Sequence, residues 1–247
     1  MNLGNPAHLA AVTEDPHAPR RSRHPLHRGV LHAFALPVAA LAAPAAAAAA
    51  AALEEVVVTA TRRPEAALDV PLSIGLVGPG TIQLVDPTHH AELLNRVAGV
   101  MIQRGSGQES LTAIRSPVLT GAGSCGAFLF LENGVPIRPV GFCNVNVLYE
   151  VNSEQARAIE VLRGPGSALY GSSAMHGTVN VIQPSPAERP LLGLGVDGGP
   201  SNYWRVKVAG RQDWGDTSLG VAGLYANDGG WRAVSGYHET KANAALT

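Results

Sequence analysis

Residues 159–182 read IEVLRGPGSALYGSSAMHGTVNVI, and this stretch decides the fold. Its first five residues, 159–163, are largely apolar and β-branched, which predicts a buried strand. The Gly164-Pro165-Gly166 sequence breaks that strand, and residues 179–182 predict another one. The stretch is rich in glycine but lacks the Gly-Lys-Ser/Thr ending of a P-loop, so it does not predict a nucleotide site.

Around this stretch, residues 69–183 alternate short apolar runs with turn signals. A helix is predicted to begin at Asp86, with Pro87 in its first position, and to end at Gly99. A second, short helix is predicted after Ser153. Further strands are predicted at residues 71–77, 100–104, 111–115, 127–131 and 135–137, the last two joined by an Asn133-Gly134 hairpin turn. The pattern indicates a small α+β domain.

The first 52 residues have the order of a secretory signal peptide. Arginines at positions 20, 21, 23 and 28 precede the uncharged apolar residues 30–41, and a run of alanines follows. The apolar part is too short to span a bilayer as a helix. Export and cleavage near residue 53 are therefore predicted, and an alanine-rich linker is the alternative.

The last part of the chain, beyond a proline-rich linker at residues 184–186, alternates apolar and polar side chains. One face carries Trp204, Val206 and Val208, and the other carries Arg205, Lys207 and Arg211. A polar turn is predicted at residues 213–216, after which the alternation resumes. Such alternation is typical of transmembrane β-strands, although a sandwich with one wet face has it too. The predicted leader favours the membrane strands.

Composition and motifs argue against several other functions. The net charge of −1 and the pI near 6.8 show no basic excess for nucleic acid. Residues 121–126 match G-x-G-x-x-G by spacing, but a predicted strand follows where a dinucleotide site needs a helix. His89 and His90 are expected to point in different directions, which disfavours a shared metal. No catalytic constellation is recognised, so neither an enzyme nor a cofactor is predicted.

The two cysteines of the chain bear on how its fold is held together after the predicted export. Cys125 and Cys143 are the only cysteines, and an even count in an oxidising compartment predicts a disulfide, with two free thiols as the alternative.

Residues 54–63 read EEVVVTATRR, with four β-formers between charges. Near a mobile N-terminus, such a segment is suited to pairing with the edge of another protein's sheet, although an ordinary first strand has the same pattern.

The chain resembles the TonB-dependent outer-membrane receptors over residues 54–247. Residues 159–182 are similar to the plug signature of that family, which runs from I-E-V-L-R-G-P through A-L-Y-G to a final strand. Further similar stretches are residues 54–63 (the TonB box), 70–73, 93–100 and 132–136. Ala98, Ser116 and Glu132 depart from the usual proline, glycine and aspartate of the family.

The resemblance implies a fold class and a domain order. It implies an α+β plug domain followed by the first antiparallel strands of a transmembrane β-barrel, which has 22 strands in complete receptors. The predicted boundaries are 1–52 for the signal peptide, 53–65 for the TonB box and linker, 66–184 for the plug and 191–247 for the start of the barrel. The last segment has room for three strands and the start of a fourth.

The implied function is energy-coupled uptake of a scarce ligand across the outer membrane of a Gram-negative bacterium. The expected partners are TonB with its inner-membrane energising complex, a ferric siderophore and outer-membrane lipid. Receptors for cobalamin, haem or oligosaccharide, and a periplasmic binding module without transport, remain alternatives.

The resemblance also assigns roles to particular residues. The expected TonB contacts are Glu55, Val56, Val57, Val58 and Thr59. The expected contacts between plug and barrel wall are Arg115 and Arg163. The expected apical ligand loops include Gln108, Ser116, Gly123, Arg138 and Asn144.

Overall fold

The computed structural model describes residues 57–105, 107–118, 126–137 and 150–247. Up to residue 190, which we call the plug region, the elements are β1 (Val57–Val58), β2 (Glu65–Ala66), β3 (Ile74–Val77), α1 (Pro79–Val85), α2 (Ala91–Leu94), β4 (Val100–Arg104), β5 (Ser110–Ile114), β6 (Phe128–Glu132), β7 (Val135–Pro136), β8 (Ala158–Arg163), α3 (Ser167–Tyr170) and β9 (Gly177–Ile182). The remaining strands, which we call the wall strands, are β10 (Leu192–Gly199), β11 (Tyr203–Trp214), β12 (Thr217–Asp228) and β13 (Tyr237–Leu246).

The plug region is built on a five-stranded sheet in the order β3-β8-β9-β6-β7. Its strands pair antiparallel except for β6 and β9, which are parallel. Strands β8 and β9 lie inside the sheet and are buried almost throughout, which explains their near-continuous apolar sequence. Leu93 and Leu94 of α2 pack with Ile159 and Val161 in the core.

The wall strands form a separate antiparallel sheet in chain order, β10-β11-β12-β13. The β11–β12 hairpin closes between the paired residues Trp214 and Thr217. Trp204 and Val208 of β11 are 39% and 43% exposed on one face, whereas Arg205 is 2% exposed on the other. The predicted α+β domain followed by antiparallel alternating strands is therefore confirmed. No helix in the described ranges is both long and apolar enough to cross a membrane.

The helix predicted at residues 86–99 is present only as the short α2 (Ala91–Leu94), and the helix predicted after Ser153 is absent. Asp86 does not begin a helix but ends α1, with φ of 42° and its N–H bonded to the carbonyl of Ile82. Pro79, just after the predicted strand at residues 71–77, starts α1, a position where its missing N–H costs nothing. Ser153 is followed by a turn rather than a helix, and its hydroxyl contacts Glu154.

The hairpin prediction was correct. Asn133 and Gly134 have φ of 50° and 77°, the left-handed values that a tight two-residue turn between β6 and β7 requires. The Asn133 side chain also accepts a hydrogen bond from the backbone of Gln183, which fixes the turn against the end of β9.

Candidate functional site

The segment predicted to contact TonB is docked on the plug region by Glu160. The backbone N–H of Thr59 lies 2.9 and 3.0 Å from the two carboxylate oxygens of Glu160, and the Thr59 hydroxyl donates to Oε2 at 2.9 Å. Glu160 is in the middle of β8 and only 2% exposed. Hydrogen bonds to a carboxylate are stronger than those between neutral groups, so this contact fixes the position of Thr59.

Burial of the Glu160 carboxyl raises its pKa above the ordinary value. The hydrogen bonds from Thr59 and the positive charge of Arg157 act in the opposite direction, because they favour the ionised form. The segment therefore supplies donors that a buried carboxylate needs.

One more side chain of the plug region, Tyr170, holds the same segment. The Tyr170 hydroxyl, from α3, donates to the carbonyl of Ala60 at 2.9 Å, and the Arg62 guanidinium lies 4.9 Å from the centre of the Tyr170 ring. Thr59 and Arg62 line a cavity of about 400 Å³ together with Tyr170 and Asn180. The signature stretch 159–182 thus provides the surface on which the segment rests.

Of the five predicted TonB-contact residues, three fall within the described ranges. Val57 and Val58 form β1, which pairs antiparallel with Ala66 and Glu65. Val58 is fully buried. Glu55 and Val56 lie outside the described residues. A partner that pairs with this segment must therefore first displace at least part of it.

Arg115 and Arg163 join parts of the plug region. The Arg115 guanidinium donates to the Ser73 hydroxyl at 2.9 Å and to the Arg163 carbonyl at 3.2 Å. Arg163 donates to the carbonyls of Ala98 and Ile74. Within the described ranges, the buried Nε–H of Arg163 has no hydrogen-bond acceptor. Their expected role against the barrel wall stays a prediction.

The plug region meets the wall strands through ion pairs around the buried Arg205, and the sequence analysis had not predicted these pairs. Arg205 of β11 lies 2.8 Å from Asp197 of β10 and 3.0 Å from Asp86, at the end of α1. Lys207 also pairs with Asp86. The charged face of β11 was the only sequence signal for this contact. It identified Arg205 and Lys207 as charged residues of one face but did not identify Asp86 as their partner.

A second group of charges lies on β13. Lys241 pairs with Glu154 of the plug region at 2.8 Å and with Glu239 at 3.3 Å. Next to it, the Gln108 side chain donates to the Tyr237 hydroxyl and to Glu239. Gln108, expected in a ligand loop, is 8% exposed and faces the wall strands, so a ligand reaches it only if that packing opens.

The other predicted loop and disulfide positions are mostly not described. Ser116 is half-buried, and its hydroxyl has no hydrogen-bond partner within the described ranges. Gly123, Arg138 and Asn144 lie outside the described residues, as do Cys125 and Cys143.

The two histidines do not diverge as predicted. The His89 and His90 rings stack with centroids 4.2 Å apart, because both residues precede the regular turns of α2. His90 Nε2 lies 2.8 Å from the Ser110 hydroxyl. Burial lowers the pKa of His89 to about 4 and that of His90 to about 2. In the part of the chain that the structure describes, no three His, Cys, Asp or Glu side chains are placed to hold a metal.

Residues 66–178 match the family model of the TonB-dependent Receptor Plug Domain. Residues 66–178 are therefore a plug domain of the TonB-dependent receptor type, and the antiparallel strands that follow it resemble the start of the barrel of such receptors.

Several solved receptors share this fold. The ferric yersiniabactin uptake receptor FyuA from Yersinia pestis matches with a TM-score of 0.55 and 20% identity, over 71% of this chain and 28% of that chain. The siderophore receptor PiuA from Acinetobacter baumannii gives 0.53 and 19%, over 76% and 25%. The pyoverdine outer membrane receptor FpvA from Pseudomonas aeruginosa PAO1 gives 0.52 and 18%, over 70% and 24%. The chain thus spans about a quarter of the length of these receptors.

Proposed function

We propose that the complete receptor imports a scarce ligand, a ferric siderophore, across the outer membrane through TonB-driven movement of the plug region. The observation that carries this proposal is the position of residues 57–60. They are joined to β8, an inner strand of the plug sheet, by the bonds between Thr59 and Glu160. A partner that captures this segment therefore releases it from Glu160 and pulls on the chain that continues into β3 of the plug sheet.

The choice of cargo has separate support. The names of FyuA, PiuA and FpvA describe a ferric yersiniabactin receptor, a siderophore receptor and a pyoverdine receptor. Loops that would select a ligand lie largely outside the described residues, so the cargo rests on the likeness and the coupling rests on the geometry.

The coupling is tested with Val57→Pro in the complete receptor. Proline removes a backbone donor and fixes φ, so it prevents the segment from pairing along its backbone with TonB. Val57→Ala, which keeps the N–H, is the matched control. Binding and uptake are measured on whole cells with the same radioiron-labelled siderophores, one hydroxamate and one catecholate.

We expect Val57→Pro to abolish uptake and leave surface binding nearly unchanged, while Val57→Ala transports normally. Uptake by Val57→Pro at the rate of Val57→Ala would refute the coupling role. Binding without uptake in the wild-type receptor would favour a binding module without transport. Absence of binding for both siderophores, with uptake of haem, cobalamin or an oligosaccharide, would refute the choice of cargo alone.

A further inference from the structure

Glu160 is the only acidic side chain of β8, which is apolar from Ala158 to Leu162 apart from it. Its neighbours in β8, Ile159 and Val161, point into the hydrophobic core, so Glu160 points to the opposite face of the sheet. On that face it lies between Leu76 of β3 and Asn180 of β9, its paired residues on either side. Neither of these two neighbours carries a charge.

Thr59 is the residue that satisfies this carboxylate. It supplies a bifurcated backbone donor and a hydroxyl donor, so both oxygens of Glu160 are bonded. No ion pair to Glu160 is formed within the described ranges. The donors of Thr59 are thus its short-range partners, while Arg157 acts on it only through its charge and without an ion pair.

Two adjacent residues of the segment, Thr59 and Ala60, are each held by a side chain of the plug region. The Tyr170 hydroxyl holds the next residue, Ala60, by its carbonyl, so adjacent residues are fixed by one acceptor and one donor of the plug. The Asn180 amide lies 3.5 Å from the Thr59 hydroxyl. Departure of the segment would expose Glu160, Tyr170 and Asn180 to water, which can replace each lost bond. Departure of the segment would leave the pairing of β8 with β3 and β9 intact, because the segment takes no part in it.

We propose that Glu160 is a positioning residue. Its carboxylate, which we call the latch, holds residues 57–59, the coupling segment, on the plug through Thr59 until a partner displaces the segment. This inference rests on the proposed coupling function of residues 57–59. Backbone pairing with TonB must compete with the backbone bond from Thr59 to Glu160. The strength of the latch therefore sets how often the segment is available.

The test is amide hydrogen exchange of the complete receptor in detergent, without TonB and without a siderophore. Glu160→Gln removes the charge and presents an amide N–H₂ where one acceptor stood. Thr59→Val removes only the hydroxyl bond and leaves β8 intact. Glu132→Gln is the matched control, since Glu132 of β6 bonds Gln183 and Asn243 but not the segment.

We expect residues 57–62 to exchange about tenfold faster in Glu160→Gln, the factor for losing about one charge-assisted hydrogen bond. Thr59→Val should give a smaller increase in the same residues. Residues 177–182 should exchange as in the wild type in both variants, and Glu132→Gln should leave residues 57–62 unchanged.

Unchanged exchange of residues 57–62 in both Glu160→Gln and Thr59→Val would overturn the latch. If Glu160→Gln speeds the exchange of residues 177–182 as well, the result for Thr59→Val is used alone. An equal increase in exchange of residues 57–62 and 177–182 in Thr59→Val would also overturn the latch. Because the assay contains neither TonB nor cargo, a failure of the Val57→Pro uptake experiment would refute the coupling function without changing this result.

Discussion

Lys241 of β13 and Glu154 of the plug region form an ion pair in which Nζ and Oε1 are 2.8 Å apart and the side chains are only 5% and 1% exposed. Glu239 lies 3.3 Å from the same ammonium group. One buried lysine therefore neutralises a carboxylate of the plug region and one of the wall. With Asp86, Arg205 and Lys207, this pair fixes the plug region to the wall strands at two places.

The first prediction concerns that pair. Lys241→Met should lower the free energy of local opening around Glu154 by about 3 kcal/mol, because it leaves buried carboxylates without a cation. Arg157→Met, which breaks the exposed pair with Glu188, should cost less than about 1 kcal/mol. Amide exchange of residues 150–156 in the complete receptor measures both. An equal loss in the free energy of local opening for both variants would show that the buried pair contributes no more than the exposed one.

The second prediction is a loss of stability in mild acid. The fold keeps His89 and His90 neutral, with pKa values of about 4 and about 2, whereas the unfolded chain takes up protons below about pH 6.5. Stability should therefore be constant above that pH and fall as the pH drops from 6.5 toward 4. The slope should reach about 1.4 kcal/mol per pH unit for each histidine.

The pH effect is measured by urea unfolding of the plug in the complete receptor between pH 7.5 and 5, a range chosen to bracket the ordinary histidine pKa of about 6.5. The double variant His89→Asn, His90→Gln keeps polar groups near Ala91 and Ser110 but cannot be protonated. Its unfolding midpoint should depend less on pH. The same pH dependence in both proteins would contradict the assignment to these two residues.

The third prediction is a disulfide between Cys125 and Cys143, based on the even cysteine count and on the predicted export of the chain. Closing a loop of this size should stabilise the fold by about 3 kcal/mol. Peptide mass mapping of the non-reduced, alkylated receptor should find the two cysteines in one linked species. Alkylation of both thiols in the native protein would disprove the bond.

The fourth prediction is removal of the leader near residue 53, after the alanine run. N-terminal sequencing of receptor purified from outer membranes should start close to Leu53. A mature protein that still contains the arginines at positions 20–28 would exclude cleavage at this site.

Local patterns in the sequence were enough to predict most of the strands. The predicted strand at residues 100–104 is β4, and the predicted strands in residues 159–182 are parts of β8 and β9. The alternation of Trp204, Arg205 and Val208 gave the correct two faces of β11. These features depend on the period of two and on turn residues, which are properties of neighbouring positions and need no knowledge of the rest of the fold.

The partners of the charged residues were decided only by the tertiary structure. Asp86 has the sequence context of a helix start, but its carboxylate pairs with Arg205 and Lys207, more than 100 residues away along the chain, while its backbone ends α1. Thr59 reaches Glu160 across 101 positions. Both contacts arise because folding places a buried charge next to a donor or counter-charge from a distant segment. The cost of burying a charge without a partner dictates that such a contact must form, but the sequence alone does not identify the partner.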